Sequence, residues 1–581
     1  MDVLLQPLTA RNDLGRVCIA AAIAGILSHA LYFIRGFHDA RALGIIAVHT
    51  AAYVVLCAFT MAQRGISGGF LVSSAVFGSY LIALFTSIVT YRVFFHPLRH
   101  FPGPLAAKIT KLHSLYTAVN GQIHIEQNKL LRKYGSIVRM APNELFIVSS
   151  DAVTKIHASK SGCRKRSTGM YDVLNYKGES NLVSMVHHED HRWRRQVWER
   201  AMTKKEIDNY EPRTREVVHQ WLQKLASSRG QPIDTSLFSL LITFDNMGKV
   251  GYSHDFNTIE TGKENRMLHL LEVTFGQVAA LGELCWPLAL LQSLNVGGES
   301  AEFEQLARTL ADERAKHDTG ASQDIFKHFL EDFRSPKPKA FFNQNILYAD
   351  AALILIGATD TVAVALSYAF FYLAKNLDAQ EKLYDAVAEV RGKSLPGELT
   401  NADLSGIEYL DAIINETLRL ENPVANNAAR MTPSEGIVVD GVYIPGGVCL
   451  RVPGYAMQRS KSPLTPFRSP SPKPHAQANY YSLVLGSKAF VRPDEFIPER
   501  WTTRADLVID RTAFFPFLAG PYNCVGKRLA MMVLRLVLSY TALHYRFQYA
   551  PGEDGTAIHK QAKDNLILKA GPLKLVFTKR E

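Results

Sequence analysis

The sequence predicts a mainly α-helical protein with small β-sheets, a single large helical domain preceded by about three transmembrane helices. Three observations lead there. Apolar runs of about 20 residues crowd the first hundred positions. From Lys108 onward helical periodicity dominates. Strand-like stretches occur at 136–149, 437–450 and 566–577.

With 47% hydrophobic and 20% charged residues over 581 positions, the chain can bury a large core, which excludes a disordered or collagen-like polymer. Six cysteines (Cys18, Cys57, Cys163, Cys285, Cys449 and Cys524) are scattered with no CxxC pair, which argues against a disulfide framework or a zinc site. The 65 Lys+Arg against 54 Asp+Glu leave a net charge of +11 with no long basic block. That balance suits an anionic membrane surface or an acidic protein partner before nucleic acid. No internal repeat is present, so a solenoid is excluded.

The apolar stretches are 17–34, 43–62 and 70–91. Each is long enough, at 1.5 Å per residue, to cross a hydrocarbon layer of roughly 30 Å. A cleaved signal peptide fits poorly, because no small-residue cleavage site precedes the second stretch. Arg35 and Arg41 fall on one side with Arg92, Arg99, Lys108 and Lys111, against Arg11, Arg16 and Arg64, so the large C-terminal part faces the cytosol. The alternative is that one or two stretches lie in the interface or against the domain, since Gly, Ser and His dilute the first and third. Residues 1–95 are thus a membrane anchor. Residues 96–106 are a hinge stiffened by Pro97, Pro102 and Pro104, and 107–581 form the domain.

The run 345–375 is apolar almost all round and about 45 Å long as a helix. It is either a buried spine or a fourth span. Asp350, Thr359, Asp360 and Thr361 would be costly against lipid, which favours the spine. Residues 275–294 are apolar and suit an access channel near the membrane or ordinary core. Residues 460–486 look foreign: Pro463, Pro466, Pro470, Pro472 and Pro474 forbid helix or central strand. This segment is a surface insert or a retained intron, since Ser460-Lys461-Ser462, Ala478-Asn479-Tyr480 and Leu485-Gly486 can be encoded as donor-, branch- and acceptor-like sequences.

The strongest chemical signal is Phe517-Leu-Ala-Gly520-Pro-Tyr522-Asn-Cys524-Val-Gly526, followed by a helix whose apolar face is Leu529, Met532, Val533, Leu536, Val537 and Tyr540. A cysteine at a helix N-terminus has its thiolate stabilised by the dipole and by free N–H groups, as an iron ligand requires. Gly520 and Gly526 let the backbone bend and approach a large flat partner, and Phe517 can cover the sulfur. A lone cysteine in such a turn would be structural, but this spacing is too complete for that.

The segment resembles the cysteine-ligand loop of the cytochrome P-450 family, the haem-thiolate monooxygenases, of the membrane-anchored filamentous-fungal type. Glu416 and Arg419 in INETLRL match the family's ExxR pair, and Arg500 in FIPERW completes a charge network with them. Without the resemblance, Glu416 and Arg419 are an exposed i,i+3 ion pair worth a few tenths of a kcal/mol. Gly357-Ala358-Thr359-Asp360-Thr361 matches the oxygen-activation motif. The resemblance implies the P-450 fold and haem b, with Cys524 as axial ligand of its iron and the thiolate favouring O–O cleavage. It further implies Asp360 as proton source and Thr361 as the hydroxyl that holds oxygen and water. The alternative for Thr361 is a bond back to a helical carbonyl.

His191 and Arg195 on one helix face, and Arg430 after the ExxR helix, sit where the family binds haem propionates. His187, His188 and His191 read otherwise as solvated. Where the family usually has Arg or His two residues before the cysteine, this chain has Tyr522, which brings no charge, so one propionate is held less firmly.

The resemblance also implies electrons from NADPH through a separate NADPH-cytochrome P-450 reductase, with cytochrome b5 as a candidate second donor. The expected setting is the endoplasmic reticulum membrane with the catalytic domain in the cytosol. The substrate is a lipophilic small molecule that is hydroxylated, epoxidised or further oxidised, and the fungal likeness points to secondary-metabolite biosynthesis. The alternatives are a haem-thiolate isomerase or dehydratase that needs no reductase, and a multi-span membrane protein with no haem.

Overall fold

The computed structural model of the protein describes residues 11–38, 41–118, 121–165, 171, 174–175, 178–281, 284, 286–287, 290, 298–318, 322–393, 398–426, 428–459 and 489–581. The first apolar stretch forms α1 (Arg11–Ser28), and the second and third join in α2 (Ala42–Thr90). A straight helix of 49 residues would measure about 73 Å, more than twice the hydrocarbon layer. Gly65 breaks it, with φ 74° and ψ 171°, a backbone that a side chain would strain.

The two arms of α2 then run antiparallel. His49 Nε2 lies 3.0 Å from Tyr80 Oη, Tyr53 Oη lies 2.8 Å from Ser74 Oγ, and Thr60 Oγ1 donates to Gly69 O at 2.9 Å. Tyr80 Oη also donates to Ser28 Oγ, and His29 meets Ser87. A Cβ on Gly25 would stand 2.4 Å from Tyr80 O, so α1 presses directly on the second arm. The Gly, Ser and His residues that dilute the apolar stretches therefore bind three helical arms into one bundle.

The helix of the anchor ends where His96 turns extended (φ −62°, ψ 142°), as the following proline requires. The hinge is fastened to the domain. Arg139, wholly buried, donates to Arg92 O at 2.9 Å and to Pro142 O at 2.7 Å, and its backbone N–H donates to Pro102 O at 2.7 Å. A Cβ on Gly103 would lie 2.3 Å from Arg139 O, so glycine alone permits this contact.

The strands are β1 (Ile137–Ala141), β2 (Glu144–Ile147), β3 (Ile233–Asp234), β4 (Arg430–Met431), β5 (Ile437–Val439), β6 (Val442–Ile444), β7 (Cys449–Arg451), β8 (Tyr545–Tyr549), β9 (Lys563–Asn565), β10 (Ile567–Lys569) and β11 (Lys574–Lys579). They form a sheet of order β1-β2-β7-β4, a sheet β3-β11-β8 and the hairpins β5-β6 and β9-β10. All three strand-like stretches contain strands. β3, β4, β8 and β9 lie outside them.

The helices that frame the site are α3 (Ser150–His157), α4 (His188–Ala201), α5 (Lys204–Ser228), α6 (Thr235–Tyr252), α7 (Arg266–Leu281), α8 (Gly298–Lys316), α9 (Gln344–Lys375), α10 (Glu408–Leu420) and α11 (Lys527–His544). Asn343 caps α9 by accepting from Ile346 N at 2.9 Å. Helix α9 is long and apolar enough to cross a membrane, yet it is the buried spine of the domain. Asp350 explains why: buried, it accepts from Arg194 Nη1 at 2.9 Å, Trp198 Nε1 at 2.7 Å and Leu182 N at 3.1 Å. The expected apolar face of α11 is buried in the same core. Phe275 and Leu284 are buried too, and 282–283, 285, 288–289 and 291–294 of that stretch lie outside the described residues.

The proline-rich segment 460–486 lies outside the described residues, but its flanks are described. Arg419 Nη1 donates to Gln458 O at 3.1 Å and to Pro493 O at 2.6 Å, so one nitrogen holds the chain on both sides of the segment. A variant lacking 460–486 is expected to keep the helical circular dichroism and the thermal midpoint of the full chain. A drop of more than a few degrees would show that the segment belongs to the fold, and sequencing the spliced transcript decides whether it is translated.

Candidate functional site

Glu416 and Arg419 both face inward from α10 and both have 0% exposed side chains, which overturns the exposed ion-pair alternative. Arg419 forks onto Glu416, with Nε to Oε2 at 2.8 Å and Nη2 to Oε1 at 2.9 Å. Arg500 Nε adds a bond to Oε1 at 3.2 Å, Ile497 N another at 3.0 Å, and Trp501 Nε1 donates to Oε2 at 2.9 Å. The remaining donors of Arg500 go to Val491 O, Leu507 O and Arg492 O. The expected network of Glu416, Arg419 and Arg500 is therefore assembled. Trp501 is the member that charge pattern alone misses.

The cysteine loop runs from this network into α11. Cys524 N donates to Phe517 O at 2.8 Å, closing the loop. Gly520 has φ 69°, and a Cβ there would lie 1.8 Å from His157 O, so the loop can press on the end of α3 only as glycine. Gly526 is different: its φ is −81°, and a Cβ would meet only Cys524 Sγ, at 3.9 Å. No neighbouring part of the protein demands glycine there. Phe517 packs on the core, with Lys527 Nζ 5.5 Å from its ring.

The Cys524 side chain is solvent-accessible. Burial pushes its thiol up. Backbone N–H bonds from Gly526 and Lys527, with the charges of Arg195 and Lys527, pull the other way.

Between its exposed ends, helix α9 is buried except in one window, where Ile356, Gly357, Ala358, Asp360 and Thr361 are not. A Cβ on Gly357 would meet nothing within 4 Å. Thr361 Oγ1 donates to Gly357 O at 3.0 Å, so the back-bonded arrangement is the one present, and its oxygen remains free to accept. Asp360 points the other way, into a cavity of about 270 Å³ lined also by Glu264, Glu272 and Lys569. Burial, then the charges of Glu272 and Glu264, push its carboxyl up to about 7, opposed by Lys569.

The expected propionate ligands gather around Tyr522. His191 is buried, not solvated, with its ring 4.7 Å from that of Tyr522. Burial first, then the charge of Lys165, push it down to about 3, so it is neutral and offers an N–H without charge. His188 Nδ1 lies 3.2 Å from Tyr522 Oη, and only His187 is largely exposed, paired with Asp190. Arg195 Nη2 donates to Asn523 Oδ1 at 2.6 Å and its Nε to Glu199, which directs the guanidinium at the residue before the cysteine. Arg430 is buried, and its Nη1 donates to Tyr171 Oη and Ala429 O. Its Nε and Nη2 have no partner among the described residues. Such orphaned cationic donors fit a buried carboxylate ligand.

The family profile described as Cytochrome P450 matches residues 102–463 and 475–577, leaving a gap inside the proline-rich segment. The cytochrome P450 monooxygenase FCK2 of Fusarium pseudograminearum is 30% identical over 96% of this chain and 97% of its own. The monooxygenase sthD of Phaeosphaeria nodorum is 31% identical over 86% and 98%. The tryprostatin B 6-hydroxylase of Aspergillus fumigatus is 27% identical over 96% of each chain. Among solved structures, the haem domain of cytochrome P450DA superposes with a TM-score of 0.66 at 17% identity, covering 83% of this chain and 98% of that one. That likeness establishes the fold.

Truncating one partner of a buried, fully bonded ion network is expected to cost about 3–5 kcal/mol. Arg419→Ala and Glu416→Ala should lower the denaturation midpoint accordingly, while Lys204→Ala, in an exposed pair with Asp208, should change stability by under about 0.5 kcal/mol. Equal midpoints for all three would refute the network's structural role.

Proposed function

The chain belongs to the cytochrome P450 family and is one of its monooxygenases, and on that premise we propose that it oxidises a lipophilic small molecule at a haem held by Cys524. The alternative of a multi-span membrane protein without haem falls with this match. The observation that carries the reading is Cys524 itself. Its accessible sulfur sits at the start of α11 and receives backbone N–H bonds from Gly526 and Lys527. Cys524 would hold the iron as a thiolate, and these two N–H groups would stabilise the charge on its sulfur.

When bound, haem supplies oxygen activation, with the thiolate ligand favouring O–O cleavage. The chain's own groups do the rest. Gly357 leaves open space, and the Thr361 hydroxyl, fixed on Gly357 O, accepts a hydrogen bond there. Asp360 takes a proton from the cavity it shares with Glu264 and Glu272 and passes it across α9 toward Thr361. With its carboxyl near 7, Asp360 is about half protonated at neutral pH and can both give and regain that proton. Arg430, through its free donors, and His191 would hold the haem carboxylates, and Arg195 would join them on releasing Asn523. Gly520 and Phe517 shape the loop under the ring, and Gly526 lets the flat partner approach.

The three-arm anchor of residues 1–95 fixes the domain, 107–581, at a membrane through the hinge 96–106. We assign that membrane to the endoplasmic reticulum, with the domain in the cytosol. Electrons come from NADPH through NADPH-cytochrome P450 reductase, with cytochrome b5 as a second donor. Hydroxylation of a secondary metabolite is favoured, since one relative is named for a hydroxylation. The gap in the family match at 464–474 supports reading the proline-rich segment as an insert or retained intron.

The test is a reduced, carbon-monoxide difference spectrum of the membrane-bound protein. Wild type is expected to give the haem-thiolate band and Cys524→Ala to lose it. Retention of an unchanged band and turnover by Cys524→Ala would overturn the assignment.

Asp360 gives a second test. Aspartate in an unfolded chain titrates near 3.9, so the unfolded state loses this proton before the folded state does. Stability therefore falls as pH rises from about 4 to about 7 and stays lower above. Asp360→Asn removes this loss and is expected to raise the denaturation midpoint at pH 8 but much less at pH 5. It should lower turnover about 100-fold and abolish the decline in wild-type turnover through pH 7. Unchanged turnover would exclude Asp360 as proton donor.

A further inference from the structure

Tyr522, two residues before Cys524, leaves the haem site one charge short of the usual pattern. The structure supplies a charge at the same place from elsewhere in the chain. Lys165, between α3 and α4, is buried, and its Nζ stands 4.9 Å from the centroid of the Tyr522 ring. The guanidinium of Arg430 stands 4.7 Å from that centroid. One phenol ring is thus the common platform for two buried cations.

Among the described residues neither cation has a carboxylate partner. Lys165 Nζ donates to Leu182 O at 3.1 Å and Val183 O at 2.9 Å, which leaves the third ammonium donor without a partner among the described residues. Arg430 keeps two orphaned donors, and both ring nitrogens of buried His157 are likewise unpartnered among the described residues. The carboxylate whose charge favours the Lys165 ammonium is Asp350, and it is committed to Arg194, Trp198 and Leu182 N. Arg195 and Arg430 instead repel it, and with burial they hold the ammonium well below its ordinary value. Burial of like charges with donors to spare is relieved by loss of a proton or by a bound anion, and only the anion also satisfies the donors of Arg430, which keeps its proton.

We propose that Lys165 is a haem-binding residue of this protein: its free ammonium donor, beside the free donors of Arg430, binds a haem carboxylate and replaces the charge that Tyr522 lacks. Tyr522 is then a positioning residue whose ring fixes both cations. This rests on the haem reading above.

The experiment uses the full-length haem protein in detergent and measures the rate of haem transfer to excess apomyoglobin and the midpoint potential of the iron. Lys165→Met is expected to release haem about tenfold faster, the loss of one charge-assisted bond. It should also lower the midpoint potential, because a nearby positive charge favours the added electron. Lys165→Arg should stay close to wild type, and Tyr522→His added to Lys165→Met should restore retention. Lys165→Gln keeps an N–H for Leu182 O and Val183 O, so it decides the matter if the Met variant does not accumulate. Wild-type release rate and potential in the Gln variant, or in the Met variant, would overturn the proposal. If wild type itself held no haem through Cys524, the parent reading would fail instead, and the two failures are told apart by the wild-type spectrum.

Discussion

The carboxylate of Glu416 is the constraint on which the domain turns. A fully buried anion is unaffordable alone, and this one is surrounded by Arg419, Arg500, Trp501 and the Ile497 N–H. Each of those donors belongs to α10 or to the chain approaching the cysteine loop. Arg419 then spends its other donors on Gln458 O, Pro493 O and Glu495 O. A single satisfied charge thereby fixes the helix, the two flanks of the proline-rich segment and the approach to Cys524. The cysteine is held in place by a network that does not touch it.

Around that fixed point the buried charges are sorted by sign. Lys165 and Arg430 lie against Tyr522 with donors to spare, and Arg195 beside them is bonded to Asn523 and Glu199. Asp360, Glu264 and Glu272 share a cavity with Lys569, where burial and the neighbouring carboxylates outweigh the lysine and raise Asp360 toward neutrality. The first group suits a site that holds an anion, the second a site that hands over protons. Helix α9 carries Asp360 and Thr361 on adjacent positions, Asp360 toward the acidic cavity and Thr361 bonded to Gly357 O, the placement on which the proposed relay rests.

Much of this was legible in sequence because it is local. The Cys524 loop, the i,i+3 spacing of Glu416 and Arg419, the apolar face of α11 and the charged residues that kept α9 out of the membrane all show within a few positions. What could not be read depends on long-range approach. Lys165 is 357 positions from Tyr522 in a segment with no motif, Trp501 finds Glu416 only through folding, and His191 looked solvated among charged neighbours until Tyr522 covered it. Short strands such as β4 and β9 carry too few residues to show alternation.

The anchor follows the same logic in a different solvent. In hydrocarbon, apolar surface gives no reason for helices to associate, so close backbone contact and polar pairs must do it. Gly25 on Tyr80 O, Gly69 on Met61 N and the pairs of His49 with Tyr80 and Tyr53 with Ser74 provide both. The second arm then passes without a free tether into the joint that Arg139 holds through Arg92 O, Pro142 O and Pro102 O. Because β1 carries Arg139 and shares its sheet with β4, which carries Arg430, the anchor and the cationic side of the site are built on one sheet. The apolar N-terminal helices and the Arg430 side of the site thus meet through hydrogen-bonded strands of one sheet.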